Sequence, residues 1–162
     1  MTQKQFWKIY IRSNIKLNLW NGCIKMQTYN DKEVTRKNTR HVVAGIIEKK
    51  SKLFIARRAK KDFLEGLWEF PGGKVEPNET HVECLKRELF EELGIIVDVG
   101  MYVCTSSFVH QDINMQLHAY RVPSFSGIIE LREHSESRWV TPDELHSFNF
   151  PEPDLIIIKA LC

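Results

Sequence analysis

Glu88, Glu91 and Glu92 stand at i, i+3 and i+4, the spacing that gathers side chains on one face of a helix. Their carboxylates would share about one hundred degrees of arc, where each exposed like-charge pair costs about 0.2–0.5 kcal/mol. A chain that keeps them together either leaves them in open solvent or uses them on a cation, and the ion they suit is a hard divalent one that takes oxygen ligands. By themselves the three glutamates favour the solvated face. The helix that must carry them runs from about Thr80 to Leu93, with Val82, Leu85, Leu89 and Leu93 as its apolar stripe. Gly94 stands where a left-handed glycine ends such a helix. Arg87, next to the cluster, can fork onto a carboxylate and hold it in one rotamer.

The frame around this helix decides between the two readings. Gly72 and Gly73 follow Pro71, and Glu79 and Arg87 precede the acidic cluster. The pattern resembles the Nudix box, G-x5-E-x7-R-E-U-x-E-E-x-G-U, where U is a bulky aliphatic. Gly73, Glu79, Arg87, Glu88, Leu89, Glu91, Glu92, Gly94 and Ile95 match it without departure. Asn78 stands where the family often has glycine, and Asn tolerates the same left-handed turn. The resemblance implies hydrolysis of nucleoside polyphosphates with Mg²⁺, Mn²⁺ being the substitute ion. Such substrates carry dense negative charge, and water attacks their phosphorus only when that charge is neutralised and the water deprotonated. The resemblance assigns the metal to the Gly72 carbonyl and to Glu88, Glu91 and Glu92. It makes Glu88 the base, with Glu79 and Arg87 as the bracing pair.

The box leaves the substrate open, so other stretches must read the nucleoside. The runs Phe54 to Arg58, Leu67 to Glu76 and Phe150 to Asp154 resemble the MutT-like branch. That branch implies conversion of 8-oxo-dGTP to its monophosphate and pyrophosphate, with a CTP-type pyrimidine pyrophosphohydrolase as the runner-up. Glu133 falls where the branch carries an extra metal carboxylate, and Glu136 is its alternative. Asp154 reads either as the residue that reads the base edge or as an ordinary acid at a helix N-terminus. Trp68 and Phe70 read as core aromatics or as base contacts. Beside a phosphate-hydrolysing motif, Arg58 and Lys74 become candidates to hold phosphates rather than solvated strand ends. A non-catalytic nucleotide-binding module would typically have lost carboxylates from the box, and this chain has lost none.

The elements that must position these residues follow from the rest of the pattern. Residues 41–48 and 53–57 read as a hairpin, residues 59–67 as a polar loop and residues 67–70 as a short strand. Residues 95–110 and 114–122 read as two further strands, 123–127 as a loop and 138–140 as a short strand. A helix starts at Thr141-Pro142-Asp143-Glu144, and a last one runs from about Pro153 to Leu161. This is an α/β or α+β pattern. The Nudix resemblance sharpens it to an α/β/α sandwich around a mixed sheet, covering residues 39–162.

Residues 1–40 hold nine Lys/Arg against two Asp/Glu, although the whole chain of 162 residues has a formal charge of only +2. Residues 1–38 therefore read as a basic extension, expected to be flexible, in which Ile9, Ile11, Ile15, Leu17 and Leu19 alternate loosely enough for a short added strand. Met26 is an alternative natural start, followed by a polar lead-in from Asp31 to Arg40. No apolar run is long enough for a secretory core or a membrane span. With no aromatic interleaving, the basic leader is a poor nucleic-acid arm, so the expected partner is the nucleotide substrate, with the chain a monomer or homodimer. Cys23, Cys84, Cys104 and Cys162 lack paired or metal-ligand spacing, which reads as reduced thiols in a cytoplasm. His41, His81, His110, His118, His134 and His146 show no ligand-like spacing either, and are assigned core or surface roles.

Overall fold

The structure, a computed structural model, describes residues 39–59 and 65–161, together with the backbone of two strands in residues 15–28. Those strands, β1 (Ile15–Trp20) and β2 (Cys23–Thr28), pair antiparallel with Leu17 opposite Met26. They lie in a unit, residues 1–38, that is separate from the unit of residues 39–162. The expectations for Ile9, Ile11, the lead-in at 31–38, the centre of the loop at 60–64 and Cys162 fall outside the described residues.

The second unit is built on β3 (Thr39–Lys49), β4 (Lys52–Arg58), β5 (Trp68–Glu69), β7 (Tyr102–His110), β8 (Ile113–Val122) and β10 (His134–Val140). Their order is β10-β4-β3-β8-β7, with β5 beside β4. β3 runs parallel to β8 while the other pairs are antiparallel, so the sheet is mixed. β3 is apolar on both faces because both are covered. Val43 and Ile47 join Phe54, Leu85, Leu89 and Leu93 on one side, where α1 (His81–Leu93) packs. Ala44 and Ile46 join Ile55, Phe70, Leu145 and Ile157 on the other, beneath α2 (Glu152–Leu161). The α/β/α sandwich is therefore present. Leu85 and Leu89 are fully buried, each worth about 1.5–3 kcal/mol of transfer free energy.

Several elements differ from the sequence expectation. Val82 is 40% exposed, and Cys84 joins Leu85, Leu89 and Leu93 on the buried side of α1. The expected single strand over 95–110 is two, β6 (Ile96–Asp98) and β7, divided at Gly100, whose N–H donates to the Arg121 carbonyl. The expected loop at 123–127 contains β9 (Ser124–Ser126), which pairs antiparallel with β6 as a separate small sheet. The strand at Trp139 begins four residues earlier than read, at His134. The helix after Thr141 is a 3₁₀ helix, Pro142–Ser147, closed at its start by the Glu144 carboxylate, which accepts from the Thr141 N–H and hydroxyl. Among the described residues, no helix is long and apolar enough to cross a membrane.

Candidate active site

β3 and β4 pair only at their hairpin end, Glu48 with Leu53 and Lys49 with Lys52. The edge of β3 that β4 leaves is taken by the loop from Pro71 to Val75. Gly45 N–H donates to the Pro71 carbonyl at 2.8 Å, Val43 N–H to the Gly73 carbonyl at 2.8 Å, and Val75 N–H to the His41 carbonyl at 2.9 Å. This close approach needs glycine. A Cβ on Gly72 would stand 2.1 Å from the Val43 carbonyl oxygen, and one on Gly73 would stand 2.2 Å from the carboxyl carbon of Glu88. The loop is thus held as a rigid ledge against which α1 places its acids.

Thr80 starts α1 with a full capping box: its hydroxyl accepts from Glu83 N–H, and the Glu83 carboxylate accepts from Thr80 N–H. Gly94 ends it in the left-handed conformation, φ 69°. Asn78 has φ 68°, the turn its type was expected to tolerate. Between these ends Arg87 ties the acids together. Its Nε and Nη2 fork onto Glu79 at 2.8 and 2.9 Å, while Nη1 donates to Glu88 at 2.9 Å and to Glu91 at 3.2 Å. Nη2 also reaches the Lys74 carbonyl at 3.2 Å, which joins helix to ledge. The Arg87 fork holds the Glu79 carboxyl down at about 2.

The remaining acids have the opposite electrostatics. Burial pushes Glu92 up to about 8, and the charges of Glu69, Glu88 and Glu133 add to the push; only the Gly72 N–H, donating to its Oε2 at 3.2 Å, opposes it. Burial likewise raises Glu88, against the pull of Arg87, with Glu91 and Glu133 adding to the rise. Carboxylates this crowded and half-dehydrated cannot all ionise together without a cation between them. An all-oxygen donor set of this kind, beside a backbone ledge, fits a hard divalent ion. Glu133 therefore lies within electrostatic reach of the cluster, whereas its alternative, Glu136, is engaged by Arg57 and Arg138.

The residues assigned to substrate divide. Lys74 is exposed on the ledge. Arg58 does not project alone: its Nη1 donates to Glu69 at 2.7 Å. The Phe70 ring is 4% exposed and stacks on Phe150, with ring centroids 5.5 Å apart, so it belongs to the core with Trp68. What Phe70 offers instead is its backbone N–H, directed at Asp154 Oδ1 at 3.4 Å. Asp154 is 6% exposed in the first turn of α2. Burial pushes its carboxyl up to about 7, against the Phe70 N–H, with the Glu69 charge adding to the rise and Arg58 opposing it.

Glu69 escaped the sequence reading, yet it links the substrate-side residues to the acidic cluster. It holds Arg58, accepts from His134 Nε2 at 3.1 Å, and its charge is felt by both Glu92 and Asp154. The available signal was alternation, which puts Glu69 on the face opposite Trp68 and Phe70. The structure also brings together three histidines that are distant in sequence, His41, His81 and His118.

A model of the NUDIX domain matches residues 37–161. The chain is 40% identical over 119 residues to the CTP pyrophosphohydrolase of Escherichia coli strain K12, covering 74% of this chain and 88% of that protein. It is 38% identical over 122 residues to the 8-oxo-dGTP diphosphatase of Buchnera aphidicola subsp. Schizaphis graminum, covering 75% and 92%. Among solved structures, the E. coli ORF135 protein superposes with a TM-score of 0.71 at 39% identity, over 76% of this chain and 88% of that one. A MutT structure from a study of the Aliivibrio salmonicida and Vibrio cholerae proteins gives 0.61 at 34% identity, over 76% and 97%. With its ledge, its braced acidic helix and these relatives, the chain belongs to the Nudix hydrolase family.

Proposed function

We propose that this Nudix hydrolase cleaves nucleoside triphosphates to monophosphate and pyrophosphate in the cytoplasm, and that oxidised purine deoxynucleotides such as 8-oxo-dGTP are its preferred substrates, so that it cleans the nucleotide pool on which DNA is copied. Glu88, Glu91, Glu92, Glu133 and the Gly72 carbonyl hold a divalent cation, Mg²⁺ in the ordinary case. When bound, that ion neutralises phosphate charge and acidifies water. Glu88 takes the proton of the attacking water as its oxygen adds to phosphorus and one P–O–P bond breaks, a role suited to a carboxylate that Arg87 holds in one rotamer beside the metal site. Arg87 and Glu79 fix the rotamer of that base. Arg58 and Lys74 face the phosphates, and Phe70 acts through its N–H on Asp154.

The observation that carries the substrate choice is the burial of Asp154. An ionised carboxylate only accepts hydrogen bonds, which suits the exocyclic amine of cytosine. A carboxyl raised to about 7 is protonated in about half of the molecules at neutral pH, and in that form it offers both donor and acceptor, which suits the mixed edge of 8-oxoguanine. The second reading, a CTP pyrophosphohydrolase, is supported by the E. coli relative of that name. The test is a panel of canonical and oxidised nucleotides with Mg²⁺, scored for pyrophosphate against phosphate release. A higher kcat/KM for 8-oxo-dGTP than for CTP, with the ratio altered in Asp154→Asn, is expected. A preference for CTP that Asp154→Asn leaves untouched would overturn both the substrate choice and the role of Asp154.

A further inference from the structure

At the end of α1 away from the acids, three imidazoles meet from three elements. His41 lies on β3, His118 on the parallel neighbour β8 and His81 at the first position of α1. The β3–β8 register sets Val43 beside His118, two residues along from His41. One nitrogen from each ring lies within 4.8 Å of the others, and His41 Nδ1 is 2.9 Å from His118 Nε2. The His81 and His118 ring centroids are 4.2 Å apart.

Hydroxyl groups hold the outer sides of two rings. Thr105 Oγ1 is 2.7 Å from His118 Nδ1 and is itself 2.8 Å from the Tyr102 hydroxyl, while the Tyr120 hydroxyl is 2.9 Å from His81 Nδ1. With the Thr105 hydroxyl accepting the Nδ1 proton, His118 Nε2 turns a lone pair towards His41. This is how an outer hydrogen bond fixes the tautomer of a metal-binding histidine. We propose that His41, His81 and His118 form a three-imidazole site for a divalent transition-metal ion, Zn²⁺ foremost, distinct from the carboxylate site.

Bonds of 2.0–2.1 Å to tetrahedral zinc place ligand nitrogens about 3.3 Å apart. The separations in this cluster, from 2.9 Å to at most 4.8 Å, lie on either side of that value, so rotamer adjustment of a few tenths of an ångström to about 1.5 Å closes the site. The donors are all imidazole nitrogen, which selects Zn²⁺, Co²⁺ or Ni²⁺ over the oxygen-seeking Mg²⁺. Two of the rings are also biased towards the neutral form that binds metal: burial and the other two imidazoles hold His118 down at about 4, and burial lowers His81. Three protein ligands leave a fourth position for water or a small anion.

Co²⁺ titrated into the metal-free full chain reads the two sites separately. Four-coordinate Co²⁺ on imidazole absorbs strongly in the visible, whereas Co²⁺ on carboxylates and water absorbs weakly. One equivalent of the strong band is expected in the wild type and in Glu92→Gln, with stoichiometric loss on adding Zn²⁺. The band is expected to vanish in His118→Ala and in His41→Gln. Should His118→Ala fail to fold, His41→Gln, whose ring is partly exposed, decides the matter. A wild type without the band, a band that survives in His41→Gln, or one lost in Glu92→Gln overturns the proposal, and none of these outcomes bears on the nucleotide reading.

Discussion

The two ends of α1 show one physical effect with opposite consequences. Burial disfavours charge at both. At the acidic end the neutral form of Glu92 is the protonated acid, so its carboxyl rises to about 8; at the histidine end the neutral form of His118 is the free base, so its imidazole falls to about 4. A cation entering the first site must displace a proton near neutral pH, while one entering the second finds the His118 imidazole uncharged and must move only the proton that lies between His41 Nδ1 and His118 Nε2. The supports differ to match. Arg87 braces Glu79, Glu88 and Glu91 with charge, whereas neutral hydroxyls of Thr105 and Tyr120 brace the rings. Burial therefore prepares a cation site of either hardness, and the residue type decides which ion it suits.

The largest expected effect lies at the acidic end. Glu88→Gln and Glu92→Gln should each lower kcat about a hundredfold or more, the usual cost of losing a general base or a metal ligand. In metal-free protein the thermal midpoint should stay level or rise, because each change relieves repulsion among crowded carboxylates. Full activity in either variant would remove this end of the helix from the mechanism.

Asp154 tests whether burial behaves the same way outside the box. Its folded value of about 7 exceeds the ordinary 3.8, so the native state binds more protons than the unfolded one between those pH values. Stability from this group is then fullest below about pH 4 and is lost as pH rises through about 7. The shift corresponds to about 4 kcal/mol at most, and a realised loss of about 2 kcal/mol is expected once the site relaxes. Asp154→Asn keeps an acceptor for the Phe70 N–H and removes the charge. Urea unfolding should therefore show the variant more stable than wild type at pH 8 and equal to it at pH 4. Parallel curves at the two pH values would mean that Asp154 stays ionised in the fold.

The acidic end was legible because its parts lie within one stretch, Gly73 to Ile95, where helical spacing and capping types fix the geometry locally. Thr80, Asn78 and Gly94 all took the conformations their types imply. The histidine end was not legible, because His41, His81 and His118 meet only through the parallel pairing of β3 with β8 and the packing of α1 on β3, and neither leaves a mark on local spacing. Glu69 was hidden for a related reason. It sits between two core aromatics, and its importance comes from Arg58, His134, Glu92 and Asp154, which approach from other elements. The base-contact reading of Phe70 lost to packing: the ring is held against Phe150, and only its N–H faces the acid. β9 was missed because a three-residue strand flanked by Pro123 and Gly127 has a loop's composition, and only β6 shows it to be paired.

Thr105→Val sharpens the contrast between charged and neutral bracing. The change keeps the volume but removes the hydroxyl bonded to His118 Nδ1, so the tautomer that offers Nε2 inward is no longer fixed. Loss of such an outer partner typically weakens metal binding about tenfold or more. The Co²⁺ titration should show that weakening with the band shape retained, and an unchanged affinity would mean that packing alone orients the ring.

Thr80→Ala carries the smallest effect and asks whether the two ends are independent. Removing the hydroxyl strips one half of the capping box, since Glu83 N–H loses its acceptor at 3.2 Å, at a typical cost of about 1 kcal/mol. That loosening is confined to the first turn, which contains His81 but not the acids: Glu88 to Glu92 lie about two to three turns further on and are anchored by Leu85, Leu89 and Leu93 in the core and by Arg87 and the Gly72 N–H. The thermal midpoint should fall by about 3–5 °C for a unit of this size. The Co²⁺ band should weaken because His81 is no longer held at the first helical position, while kcat with Mg²⁺ should stay within about twofold, a range that corresponds to less than 0.5 kcal/mol. A parallel fall in both would show that the helix transmits strain from its cap to the carboxylates, and the histidine cluster would then be coupled to hydrolysis rather than separate from it.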